Sequence, residues 1–494
     1  MWKRIVAPAV ALVATAGLVA GGILLPSGAI SLNLNNAEVY QNRTVKAKDL
    51  TLVCPGSAFT AGSGGAGTTS FKRIGSSVVD YSTNLPSGVT LKARPLAGPA
   101  ASRASLSDTG NQVQAVNAVS SLGLTVVDQL GKAQQGSALA SAQSFEIASS
   151  NGITGAIGAN CQSPSPESWL VGGVTTIGRE ALLILANPSA TDATVDLQLF
   201  GESGIIDGAG LNGISVSANR TVVLPLAGFA PDQTSLTVHV ISRGAAVSSW
   251  IQERTVRGTV SAGADLVPPA TAASTSLVIP GLLKRGTNDA TALIAANGDY
   301  ADITPAIQVF VPGTKDATVT VQVIGSSAKA NGTVLQQQIR AGSTASLDIT
   351  GLKDGDYSVF VISDQPVQAA VKLSRTKKGA TPVTDFAWLP AVASVTGPVV
   401  ATAPKSGVSK ISIGNGSLQN ATVTVKNLSD GSAQNVKVSH LGSAVLAVPA
   451  GGVIQLTSDQ PVSATMIDDF AGQIVAIPLQ DFKNSGGQLG VLVR

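Results

Sequence analysis

Apolar and polar residues alternate in short runs along most of the chain. In the segment from Tyr357 to Ser363, Tyr357, Val359 and Val361 fall on one side, and Ser358, Phe360 and Ile362 on the other. Leu236, Val238 and Val240 form the same stripe in a second segment. A period of two is that of a half-buried β-strand. Gly, Pro, Asn and Asp interrupt such runs roughly every 8–12 residues, the spacing of β-sandwiches. β-Branched residues dominate, and no capping pattern precedes a 3.6-residue period, so helices are not expected in this part of the chain.

The alternating runs repeat. Asp192-Ala193-Thr194-Val195, Asp316-Ala317-Thr318-Val319 and Asn420-Ala421-Thr422-Val423 are versions of one word. The second and third are each followed by Ser-Asp-Gln-Pro-Val, at residues 363–367 and 458–462, and the first by Ser242-Arg243-Gly244-Ala245-Ala246-Val247. Recurrence over about a hundred residues predicts three weakly similar β-sandwich units, at 166–274, 275–393 and 394–494, and residues 351–363 resemble the late hairpin of bacterial immunoglobulin-like domains, which implies that the units are immunoglobulin-like. The paired Asp364 and Asp459 could be catalytic or metal-binding carboxylates. The first unit keeps Ser242 and Val247 but lacks the acid, which favours a corner joining two strands, with Asp bonding nearby backbone.

Residues 30–165 read as a membrane-proximal β-rich region. It contains a hairpin from residues 67–75 and 76–84, and adds a layer that completes the first sandwich. Residues 132–145 leave a short helix and a loop both open.

The first residues add a membrane. Lys3 and Arg4 precede an uninterrupted apolar run, Ile5 to Leu25, long enough to span a bilayer. Basic residues ahead of it predict an inside N-terminus, and Trp2 suits the interface. Ser27-Gly28-Ala29 has the form of a cleavage site, so residues 1–29 are a retained anchor or a signal peptide; the length favours the anchor. The chain is then a single-pass protein of the cell membrane with its bulk extracytoplasmic, or is secreted after cleavage near Ala29. The fold class expected is mainly β: an N-terminal transmembrane helix followed by tandem sandwiches.

Composition supports an extracytoplasmic setting. Charged residues make up only 12% of the chain against 44% hydrophobic, and the net charge of +3 comes without a long basic run. No nucleic-acid partner is expected. The two cysteines, Cys54 and Cys161, read as one disulfide in an oxidising compartment, with a metal or reactive thiol as the alternative.

Candidate chemistry is sparse. The two histidines, His239 and His440, stand alone in β-rich surroundings. No nucleophile elbow, zinc motif, phosphate loop or dinucleotide fingerprint is present. Asp354-Gly355-Asp356 reads as a turn rather than a calcium loop, and Asp468-Asp469 as a solvated strand end. Trp169, Trp250 and Trp388 are candidate interaction aromatics able to stack on sugars; the alternative is inter-domain core. The expectation is a protein without enzymatic activity and without a cofactor.

Cys54-Pro55-Gly56, Cys161, Trp169, Gly172-Gly173 and Asn187-Pro188, in their surrounding segments, resemble a family of uncharacterised, membrane-anchored extracytoplasmic proteins of actinobacteria, a domain of unknown function. The resemblance runs over nearly the whole chain and carries no catalytic assignment. It implies an envelope protein with an accessory role in glycan assembly. Its partners would be a membrane glycosyltransferase or other envelope-assembly protein, or a wall glycan. The alternatives are a glycan-binding or glycan-active protein and a secreted adhesin.

Overall fold

The computed structural model describes residues 31–493 apart from 34–37, 46–49, 63–69, 74–76, 85–89, 98–103, 108–112, 122–124, 131–138, 151, 328–329, 331, 380–381, 471 and 482–486. Trp2, the apolar run to Leu25 and the Ser27-Gly28-Ala29 site lie outside the described residues. Among the described residues no helix is long and apolar enough to cross a membrane. The chain divides into two units, one of residues 1–48 with 484–494 and one of residues 49–483. In the smaller unit, strand Glu38–Val45 pairs antiparallel with Ser31–Asn33 and with Gly487–Val493.

The larger unit repeats one topology four times. Each repeat has an inner four-stranded sheet whose last strand in sequence lies at its edge. These last strands are Ile153–Asn160, Val260–Val267, Val383–Pro390 and Gln473–Pro478. Each pairs with the strand just before it: Leu139–Ser150, Ser248–Arg257, the far half of Gly355–Lys377, and Ser463–Phe470. An outer sheet faces each inner one. Residues before the three sequence repeats therefore form a sandwich of their own, from sheets that include Leu50–Cys54 and Leu139–Ser150. Residues 70–73 pair with Phe59–Gly62, while Ser77–Asn84 lies between two strands of the inner sheet, so the expected hairpin does not form. Residues 139–145, within the stretch left open, are strand.

Alternation builds the cores. In Ala193–Gly201 the residues Ala193, Val195, Leu197 and Leu199 are buried and meet Val238 and Val240 from the neighbouring strand. Each such Val or Leu side chain is worth roughly 1.5–3 kcal/mol when fully buried, and the Ala193 methyl less. The third and fourth sandwiches have cores built in the same way.

The four last strands pack side by side in a closed ring, first against second, second against third, third against fourth and fourth against first. Glycine permits the approach. A Cβ on Gly263, at φ +113°, would lie 2.8 Å from the Phe386 ring, and one on Gly158 would overlap Val475. Apolar clusters run across the seams: Trp250 and Leu266 pack with Ile153 and Ile157, and Phe386 and Trp388 join the second sandwich's core. The tandem units of the sequence reading are thus lobes around one centre.

One α-helix, Thr287–Ala296, was not expected. Its N-terminus has no capping side chain of its own. Asp354 caps it from 67 residues away, accepting from the backbone N–H of Gly286 and Thr287 (both 3.1 Å) and from the Thr287 hydroxyl (2.5 Å). That capping role replaces the simple turn expected of Asp354.

Candidate functional site

The repeated words meet each other. Asp364 Oδ1 accepts from the N–H of Thr318 (2.8 Å), and Asp459 Oδ1 from that of Thr422 (2.7 Å). The first letters of the Ala-Thr-Val words do the same elsewhere: Asp192, Asp316 and Asn420 accept from Ala218, Ala341 and His440 N–H. Asp364 does not join two strands, because Gly355–Lys377 runs through it and passes from the outer sheet to the inner one. Both repeated aspartates are exposed and bond backbone of their own sandwich. The geometry makes them frame residues.

The centre of the ring holds a different set of acids. Asp385, on the third sandwich, accepts from Ala156 N–H of the first (3.0 Å), Ala264 N–H of the second (3.3 Å) and Ile474 N–H of the fourth (3.0 Å). One carboxyl therefore bonds all three other sandwiches. Asp265, on the second, accepts from Gly158 of the first (3.3 Å) and Trp388 of the third (2.7 Å). Burial pushes Asp385 up to about 8 against the pull of these N–H donors. Asp265 is raised well above the usual carboxylate range for the same reason. Beside them Lys372 Nζ lies 3.1 Å from Glu253 Oε1 and 4.4 Å from the centre of the Phe386 ring, while the Trp388 indole N–H donates to Glu253 Oε2 (3.1 Å). Both charges are sealed from solvent, so the pair depends on these partners.

Asp468 is also buried, in place of the expected solvated strand end. Burial pushes it up to about 7. Asp469 faces Arg375 of the third sandwich instead (3.0 Å).

A cleft of about 690 Å³ opens where the inner strands end. Gln162, Pro269, Ala391 and Gln480, each within two residues of an inner strand's C-terminus, line it. The links between sandwiches converge there because they bond one another: Ala270 N–H donates to Trp169 O (2.8 Å), Thr271 N–H to Ala391 O (3.3 Å) and Gln368 Nε2 to Thr271 O (3.2 Å). Cys161 adjoins this cleft and forms a disulfide with Cys54. The Val53–Gln162 bridge runs beside it.

Among the described residues the lining carries hydroxyls and amides, with Glu167 and Asp481 as its acids and no Lys, Arg or His. Glu167 Oε1 lies 2.8 Å from His239 Nε2 and 3.2 Å from the Trp169 indole nitrogen. The His239 ring stacks on Trp169 at 3.6 Å and its Nδ1 meets Gln198 Oε1 at 2.9 Å. Burial lowers the His239 pKa, and Glu167 opposes that shift. A second groove of about 390 Å³ continues the cleft past Thr271, Val392 and Ser394.

Of the three candidate aromatics, only half-buried Trp169 reaches this cleft, with one face taken by His239. Trp250 and Trp388 are 0% and 1% exposed and cannot stack on an external ligand; they fill seams between sandwiches. The sequence reading did not single out Asp265, Asp385, Glu253 or Lys372. The available signal was the glycine pattern of the inner strands, which marks close backbone approach.

These features define a multi-sandwich β protein with a sealed polar centre and an open cleft at the junction of its links. The chain belongs to the family of unknown function DUF5719, which it matches over residues 112–449. No curated protein matches it. Among solved structures it is similar to the tetra-tandem repeat in the extending region of a large adhesion protein, at 11% identity over 90% of this chain and 99% of that one, with a TM-score of 0.11. A second is the full-length major pilin RrgB from Streptococcus pneumoniae, at 8% identity over 88% and 94%, with a TM-score of 0.10. A third is the FN1–FN3 domains of chicken CNTN1, at 9% identity over 67% and 99%, with a TM-score of 0.10. At these scores the likenesses carry no argument about function.

Proposed function

We propose that this chain is a non-enzymatic scaffold of the bacterial cell envelope, outside the cytoplasm and tethered by its N-terminal apolar segment. Its partner is a membrane protein of envelope glycan assembly, such as a glycosyltransferase. The observation that carries this reading is the central bonding of four sandwiches by Asp385. Sandwiches joined only by links would move independently; bonded at one centre, they present the cleft and its flanking faces in a fixed arrangement. The disulfide beside the cleft fits an oxidising compartment. Crosslinking and affinity capture from native membranes test the proposal, with a form lacking residues 1–29, exported by another signal, run alongside. Enrichment of one glycan-assembly enzyme by the full chain, lost on truncation, is expected. Capture of no membrane protein by either form would contradict it.

A second reading, direct binding of a wall glycan, is favoured by the cleft's lining, which among the described residues bears hydroxyls and amides and no cation. Such a lining suits an uncharged sugar and disfavours an anionic one. Retention of the protein on neutral wall polysaccharide, reduced in a variant of the partly exposed lining residue, Gln480→Ala, would support this reading; equal retention of the two forms would oppose it.

A further inference from the structure

The four outer sheets end in equivalent edge strands that differ in one respect. They are Ala104–Ser107, Gly204–Ile206, Thr333–Ile339 and Ala433–Val438. An unpaired edge is a template for another strand, and proteins guard edges by shortness, charge, proline or bulges. The first two are short, with four and three residues, and the fourth carries Lys437. The third, Thr333-Val334-Leu335-Gln336-Gln337-Gln338-Ile339, has seven residues with no charge and no proline. Its pairing with Ala317–Gly325 runs without a bulge. Val334 is 63% exposed, and Gln336, Gln337 and Gln338 are exposed as well.

We infer that this edge is a self-association site, where a second copy of the chain adds the same strand antiparallel about a two-fold axis. Centring the pair on Gln336 sets Gln336 against itself, Leu335 against Gln337, Val334 against Gln338 and Thr333 against Ile339. No charge meets a like charge in that register, and the outward row of Val334, Gln336 and Gln338 continues into the partner's. The two four-stranded outer sheets become one sheet across the axis. An isologous contact needs only one such edge per chain. The uncharged strand sets no like charge against an identical copy and offers a charged extended peptide no complementary side chain, which favours a second copy as the occupant. A strand pair buries less than the roughly 1,200–2,000 Å² of a standard interface, so the dimer is weak, forming toward about 100 µM.

Sedimentation of the full chain across concentration, combined with engineered thiols, tests the inference. Both native cysteines are in the disulfide, so an introduced thiol stands alone. Opposed residues in an antiparallel pair have Cα atoms about 4.5–5.5 Å apart, within the span of a disulfide. Gln336→Cys should therefore oxidise to a covalent dimer at least about tenfold faster than Gln434→Cys on the fourth sandwich's edge. Gln336→Lys should abolish the concentration-dependent dimer, because it sets lysine against lysine. The inference is overturned by a chain that stays monomeric throughout, by a dimer indifferent to Gln336→Lys, or by equal crosslinking of the two cysteine variants.

Discussion

Asp364 and Asp385 belong to the same sandwich and act over different distances. Asp364 sits in a word written twice, is exposed and accepts one N–H from its own sandwich. Asp385 sits in a segment written once, is 3% exposed and accepts from the first, second and fourth sandwiches. Repetition marks the frame that every sandwich needs. Assembly of the four depends on residues that the repeats do not share. At the ring, the second and third sandwiches supply the acceptors Asp265 and Asp385, together with the donors Ala264 and Trp388 N–H. The first supplies Gly158 and Ala156 N–H groups, and the fourth Ile474 N–H, as donors. Identical repeats could not divide those roles.

Substitutions at the centre should therefore cost far more than substitutions in the repeated word. Asp385→Ala leaves three buried N–H groups without acceptors, at about 1–3 kcal/mol for each that water cannot reach. Urea unfolding should show a loss of roughly 3–9 kcal/mol in total if water reaches none of them, and less for each that it reaches. Lys372→Met strands the buried Glu253 charge and should cost about 3–5 kcal/mol; adding Glu253→Gln should restore most of it, because the apolar-neutral pair leaves no orphan charge.

The acids of the core also set a pH dependence. Asp385 and Asp468 are raised to about 8 and about 7 in the folded chain. Unfolded, they titrate near about 3.9. The folded state thus holds their protons to higher pH, and the stability this contributes is complete below about pH 4 and lost as pH rises through 7 to 8. Unfolding midpoints should fall over that window. Asp468→Asn should flatten part of the slope, by at most about 1.4 kcal/mol per pH unit. Smallest of all, Asp364→Ala should cost about 1 kcal/mol or less, since water can replace its single exposed contact.

The period of two and the turn residues show strands and sandwiches in the sequence, because both depend on neighbours in the chain. The helix Thr287–Ala296 does not show, because its cap, Asp354, arrives from a distant turn. The first sandwich carries the common topology without the common words, so word matching passes over it. The disulfide is legible from the count of two cysteines with no His or second Cys near either. Trp250 and Trp388 look like binding aromatics only until the ring is known, because their burial depends on contacts between sandwiches. For the same reason the cleft is hidden: its lining is mostly Ala, Ser, Val and Pro, ordinary linker residues until four links converge.

Hydrogen exchange of Asp385→Ala against the unaltered chain tests the common centre most directly. Loss of protection should come together at Ala156, Ala264 and Ile474, in three different sandwiches, while the core amides of each sandwich keep theirs. Loss confined to Val383–Pro390, with those three amides still protected, would contradict a centre that bonds all four.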